Sequence, residues 1–328
     1  MLKTLDEVLP KYINADAAVG AFNLALFPDT KVLIEAAEEM NAPVILQISP
    51  VVAEFMGYDY WGMIAGEMAR RSTAEVVLHL DHANMVEPIW KALDAGFSSV
   101  MFDGSQLPFE DNVRITNEVV KRAERYGASV EAEIGSVAYL GRDSHKDQLT
   151  DPKEAAAFAD ASGCGCLAVS VGTTHMMRTQ TANIQYDLLE SIQNEVKVPL
   201  VIHGSTGLPD SQLVKMRGYH VCKVNIGTAL RVAFDKGLRA ELEERPNDYI
   251  YIDLLKRPLE DEKQVVRKND GTFRILICIY GIRHSGYPGT ALQELMQRCT
   301  GSRIFIMKGV YDNGVKRQAG PPERDCQD

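Results

Sequence analysis

The sequence has no apolar run approaching the roughly 20 residues that a membrane-crossing helix needs, so no membrane partner is expected. Basic residues are in deficit, 35 Lys and Arg against 45 Asp and Glu, for a net charge of −10. That balance argues against a general nucleic-acid binder, which carries a basic face, and leaves room only for a local basic pocket of the kind a phosphate uses. Cysteine pairs with metal or redox spacing are missing too. The six cysteines fall at 164, 166, 222, 278, 299 and 326, and Cys164 and Cys166 are one residue apart, not the two of a zinc or redox pair. No cysteine ligand or nucleophile is expected. The opening segment, MLKTLDEVLPKYINAD, lacks the apolar core and small-residue cleavage site of a secretion signal, and a cytoplasmic location is the expectation. The first strand-like run ends AFNLALFPD, without the glycine-rich fingerprint of a dinucleotide-binding sheet.

What the chain does have is a repeat of one pattern over about 245 residues. Short apolar, β-branched runs end in small or polar residues and are followed by stretches with apolar spacing of three and four. The runs lie at 19–24, 43–49, 75–83, 98–105, 128–135, 166–175, 199–206 and 222–228. The helical stretches lie at 30–41, 57–72, 86–96, 110–126, 152–162, 184–195, 209–217 and 228–243. Such alternation implies parallel strands joined by helical crossovers. Eight units in this length predict an α/β fold of the (β/α)8 TIM-barrel type, with a doubly wound open sheet as the competing layout. We expect a barrel domain over residues 1–264 and a C-terminal extension over 265–328. The extension turns basic and holds three of the six cysteines.

Polar residues gather where the strands end, which in a barrel is the rim that carries chemistry. Of seven histidines, three stand at strand ends: His82 in LDHA, His175 in GTTH and His203 in IHGS. Three neutral imidazoles with a fourth position open describe a catalytic zinc site. His79, inside the third run, reads as a packed or supporting residue. Asp81, Asp103, Glu131 and Glu133 bring carboxylates to the same end; Glu131 and Glu133, two apart on one strand, share a face and can equally form an interior salt bridge.

These residues sit in segments that resemble the class II, zinc-dependent ketose-bisphosphate aldolases, the fructose- and tagatose-bisphosphate type. The matching segments are AFN, VVLHLDHA, GFSSVMFDGS, SVEAEIGSV, VGTTH, PLVIHGSTGLP and KVNIGTALR, in order between about residues 5 and 260. The resemblance implies that His82, His175 and His203 bind one catalytic Zn2+, with Glu133 and Asp103 offering an alternative position for it. It implies that Asp81 is the acid handling the hydroxyl at the carbon formed or broken. Asn23, Ser49, Gly204, Ser205, Asn225, Gly227 and Thr228 would bind a phosphorylated sugar. Some members also bind a monovalent cation, and members are usually homodimers or homotetramers. The activity implied is reversible cleavage of a ketose (bis)phosphate to dihydroxyacetone phosphate and an aldehyde such as glyceraldehyde 3-phosphate.

The chain departs from the family pattern in two places. Where the family has glycine after the strand-six histidine, this chain has Met176, with Arg178 as a replacement for a nearby lysine. The loop after strand five reads SVAYLGRDSHKDQLTDP, without paired acids; Tyr139, Asp143 and Asp147 are its proton-transfer candidates. Two other readings remain open: a Schiff-base aldolase using Lys223 on the last strand, and a non-catalytic sugar-phosphate binder on the same scaffold.

Overall fold

A computed structural model describes residues 1–13, 15, 17–137, 148–177 and 179–284, with side chains described as far as Lys268. After a two-residue strand, β1 (Leu2–Lys3), come eight parallel strands that each lead into helix. They are β2 (Val19–Asn23), β3 (Val44–Ile48), β4 (Val76–Ala83), β5 (Ser99–Phe102), β6 (Ser129–Ile134), β7 (Cys166–Val169), β8 (Leu200–Ile202) and β9 (Val221–Ile226). They close into a TIM barrel: β2 pairs with β9, Val19 opposite Lys223, and β4 pairs with β5. A short α1 (Leu5–Val8) precedes the barrel. The surrounding helices are α2 (Phe27–Met40), α3 (Pro50–Met56), α4 (Tyr58–Arg71), α5 (Val86–Asp94), α6 (Phe109–Ala123), α7 (Pro152–Ser162), α8 (Tyr186–Glu195), α9 (Asp210–Met216) and α10 (Thr228–Glu244). Their starts follow local chemistry. Asp151 accepts from the amides of Lys153 and Glu154 ahead of α7, whose first residue is Pro152, and Gly163 ends that helix at φ +74°. Among the described residues, no helix is long and apolar enough to cross a membrane.

Alternation along the strands divides the hydrophobic residues into two cores. One lies between the barrel wall and the helices and includes Phe22, Leu46, Trp61, Leu78, Phe102 and Phe158; burying each such side chain is worth about 1.5–3 kcal/mol. The other fills the N-terminal end of the barrel. There β1 adds to β4, and α1 with a 3-10 turn at Leu9–Tyr12 sends Leu5, Val8 and Leu9 against Ile45, Val77, Met101 and Val201. This apolar plug leaves only the C-terminal end of the barrel interior for polar side chains.

A last helix, α11 (Tyr251–His284), was not marked by the repeat and runs through the boundary expected between 264 and 265. Val266 is fully buried, and the compact unit containing the barrel ends at Ile279. α11 is tied to α2 by Lys263, which pairs with Glu35 and Glu39, and by Arg267 with Glu39. Between these two helices Glu262 is buried against Asp29, whose carboxylate accepts the amides of Ala25 and Leu26 at 2.8 Å each.

Burial first, and then Asp29, pushes the Glu262 carboxyl up to about 9. The folded chain therefore holds this proton where the unfolded chain, with an ordinary carboxyl near 4.5, has lost it. Stability from Glu262 is present below about pH 4.5 and is lost as pH rises toward 9. Glu262→Gln keeps a neutral side chain at every pH, so its advantage over the parent protein should grow from about pH 5 to about pH 9, to on the order of a few kcal/mol. Urea unfolding at four or five pH values measures this; parallel pH curves for the two proteins would refute it.

Candidate functional site

On β2, β3 and β4 the interior face carries its apolar residues low and its polar residues high. Above the plug lie Asn23 and Gln47 from β2 and β3, and His79 and Asp81 from β4. Glu131 and Glu133 come from β6, His203 follows β8, and Lys223 and Asn225 come from β9. Simple alternation puts His79 and Asp81 on the interior face and sends His82 to the opposite one. The chain corrects this with a register shift between Leu80 and Ala83 and a left-handed backbone at His82, φ +52°. A bulge of this kind re-aims a side chain at a strand end, and here it turns the His82 ring into the barrel mouth. His175 arrives differently. β7 stops at Val169, and a loop through Gly172, φ +101°, carries His175 to the rim rather than the strand end expected for it.

The three rings meet edge to face, with centroids 5.0 Å apart for His82 and His175, 4.5 Å for His82 and His203, and 5.8 Å for His175 and His203. Each offers one nitrogen, and the three nitrogens lie within 4.8 Å of one another. Nε2 of His82 and Nδ1 of His203 are 2.7 Å apart. Their remote nitrogens are committed to carboxylates: His82 Nδ1 to Asp103 at 3.0 Å and His203 Nε2 to Glu131 at 2.9 Å. Imidazoles oriented in this way are the usual surroundings of a bound metal. His82, Asp103 and Glu133 form a second group of the same compactness, sharing His82 with the first.

Charge is distributed unevenly over these groups. Burial lowers His82, but Asp81 first and then Asp103 overcome it and push the imidazole up to about 10. Burial and then the charge on His82 hold His203 well below the imidazole range. Burial pushes Asp81 up, and His82, Lys223 and His203 more than reverse it, so this carboxyl lies below its usual range. Asp81 accepts from Asn23 Nδ2 at 2.6 Å and from Asn225 Nδ2 at 3.3 Å. Burial, then Asp103, pushes Glu133 well above the carboxylate range.

Of the residues expected at the site, Asp81, His82, His175, His203, Asp103, Glu133, Asn23 and Asn225 come together. Gly227 packs on Asn23, its missing Cβ position 2.7 Å from Asn23 Oδ1. Gly204, at φ +69°, lies where a Cβ would meet the backbone of Thr174 at 2.8 Å. The buried Ser205 hydroxyl donates to the Asn225 carbonyl. Thr228 opens the 17-residue α10, whose N-terminal amides and dipole suit an anion. Ser49 stands at the end of β3 as the residue before α3. A cavity of about 550 Å³ reaches outward from Ser205, Thr206 and Thr228 toward Lys236 and Lys268. Met176 is about half exposed, directly after His175, with its backbone left-handed at φ +63°. Arg178, Tyr139, Asp143 and Asp147 lie outside the described residues.

Three further buried residues support the site: the sequence marked His79 as a packed or supporting residue and Lys223 as a Schiff-base candidate, and carried no signal for Gln47. Gln47 is buried and donates to Asn23 at 3.3 Å. His79 is fully buried with Nδ1 2.8 Å from the Ser99 hydroxyl. Lys223, the candidate for a Schiff base, is fully buried with its ammonium 2.9 Å from Glu131 and 2.7 Å from Asn225 Oδ1. It is a hydrogen-bonded interior cation, not an exposed amine.

The family model described as "Fructose-bisphosphate aldolase class-II" matches residues 3–274. The chain is 37% identical over 235 residues to the sulfofructosephosphate aldolase of Alkalicoccus urumqiensis, covering 70% of this chain and 82% of that one. It is 37% identical over 253 residues to the fructose-bisphosphate aldolase of Geobacillus stearothermophilus, covering 76% and 88%. Among solved structures it is similar to the YdjI aldolase from Escherichia coli K12, with a TM-score of 0.74 and 27% identity, over 83% of this chain and 97% of that one.

Proposed function

Since the chain belongs to the class-II fructose-bisphosphate aldolase family and is an aldolase, a carbon–carbon lyase, we propose that it cleaves a ketose (bis)phosphate reversibly, using Zn2+ held by His82, His175 and His203. The products are dihydroxyacetone phosphate and an aldehyde such as glyceraldehyde 3-phosphate. The observation that carries this reading is the pair of imidazole nitrogens 2.7 Å apart, each ring anchored behind by its own carboxylate. The donor set fits zinc, which takes three histidine nitrogens and keeps a fourth position open in catalytic sites. Zinc bound there supplies Lewis acidity toward the substrate carbonyl.

The chain's own residues do the rest. Asp81, ionised between two amide donors, takes the proton from the hydroxyl on the carbon that becomes the aldehyde. In the condensation direction the same carboxyl returns that proton to the new alkoxide. Asn23 and Asn225 hold Asp81 from two sides, which fixes the direction from which it can reach that hydroxyl. The small-residue loops at Gly204, Ser205, Gly227 and Thr228 place backbone amides for the phosphate, as barrels do after their last two strands. The base acting on carbon is assigned to the 138–147 segment, with Tyr139, Asp143 and Asp147 as the candidates. The alternative site at His82, Asp103 and Glu133 gives the ion a second place to rest.

The test is removal and return of metal. Exhaustive chelation should bring aldol cleavage to background, and stoichiometric zinc should restore it, across a panel of ketose phosphates. Activity that survives chelation to below one-hundredth of an ion per chain overturns the zinc reading.

A further inference from the structure

Lys223 is a cation sealed inside the barrel, between the two halves of the site. Its ammonium touches Glu131 Oε2 at 2.9 Å on one side and Asn225 Oδ1 at 2.7 Å on the other. The other ends of both partners reach functional groups. Glu131 Oε1 meets His203 Nε2 at 2.9 Å, and Asn225 Nδ2 meets Asp81 Oδ1 at 3.3 Å. All of these groups except His203, whose ring is itself buried, belong to strands β4, β6 and β9.

We propose that Lys223 is a positioning residue that sets, from one point, both the tautomer of His203 and the orientation of the Asn225 amide. The reason is that an ammonium has hydrogens and no lone pair. Facing it, Asn225 must present Oδ1, which turns its NH2 toward Asp81 as a donor. The flipped amide would set NH2 against the ammonium and oxygen against the Asp81 carboxylate. Facing the same ammonium, Glu131 is a full acceptor at 2.9 Å, so it accepts from His203 Nε2–H in preference to the longer contact, 3.2 Å, in which Asn225 Nδ2 would donate to the same nitrogen. That leaves Nδ1 of His203 with its lone pair turned to His82, the position required of a metal ligand. His79 Nε2 lies 3.5 Å from the Oε2 that Lys223 already occupies and leaves Oε1 to His203.

Charge balance alone would explain a lysine beside a glutamate, so the test separates balance from direction. Lys223→Met combined with Glu131→Gln removes one positive and one negative charge and keeps the volumes close. The glutamine introduced on β6 can present either end to His203, and the methionine introduced on β9 cannot orient Asn225. The double variant is expected to melt within a few degrees of the parent protein yet to bind zinc about 10–100-fold more weakly. In long-range 15N spectra of metal-free protein, His203 should carry its proton on Nε2 alone in the parent chain and on both nitrogens in exchange in the double variant.

The inference rests on reading His203 as a metal ligand, and the two can fail separately. A parent chain that binds no zinc removes the function proposed above, while the tautomer of its metal-free form still tests Lys223. A parent His203 protonated on Nδ1 overturns the inference without any variant, even if the double variant does not fold. So does a double variant that keeps the parent's zinc affinity and a single Nε2–H tautomer.

Discussion

Asp81→Asn should lower kcat by about two to four orders of magnitude while zinc content stays at the parent level. The substitution keeps the size of the side chain and removes its ability to take up a proton. Asp81 is not one of the three imidazoles, so the ion should remain. The carboxylate is also the acceptor for two amides, Asn23 Nδ2 and Asn225 Nδ2. An asparagine has one oxygen for two donors, so one of these contacts must break, and some rise in KM is expected with the fall in kcat. Steady-state cleavage kinetics with metal analysis on the same sample decide the matter. If kcat stays within tenfold of the parent, Asp81 is not the group that moves the hydroxyl proton.

His82→Ala and His175→Ala should differ in metal content although both abolish turnover. His82 belongs to both compact ligand groups, the one with His175 and His203 and the one with Asp103 and Glu133. Its removal leaves neither complete, so zinc affinity should fall by well over the roughly 100-fold that loss of an orienting partner costs. His175→Ala leaves His82, Asp103 and Glu133 in place. That variant should retain zinc measurably while losing catalysis, because the ion then rests on the carboxylate side of His82. Equal metal loss in the two variants would show that the carboxylate position does not hold an ion by itself.

Much of this architecture was written in the sequence in local terms. The eight strands start within one residue of their expected starts, because burial on both faces demands apolar runs and the crossovers demand helices. Asp81 was legible as a strand-end carboxylate, whereas Asn23 and Asn225 were legible only through the resemblance to the aldolases. His82 was legible as a strand-end residue but not in its direction, since alternation sends it outward and only the bulge at φ +52° brings it back. His175 was expected on its strand and lies on a loop, because β7 ends at Val169 and the chain beyond it bonds instead to Thr150 and Gln185 and turns at Gly172, φ +101°. The Lys223–Glu131 pair joins strands more than 90 positions apart, and no local pattern assigns such partners. α11 was missed as an element because the exposed residues before and at its start, Tyr249 to Ile252, are apolar with no amphipathic alternation.

The closure of β2 on β9 sets a condition on how the chain is made. The two strands are about two hundred residues apart in sequence. At synthesis rates of about 5–20 residues per second, β2 emerges roughly 10–40 seconds before its partner exists. Throughout that interval one edge of a buried, largely apolar strand is unpaired, and the plug beneath it has only part of its wall. The nascent chain is then a sticky half-barrel whose safety depends on holdase chaperones or on its own helices covering the edge. Slowing the ribosome between β8 and β9 should lower soluble yield more than the same pause placed after β9.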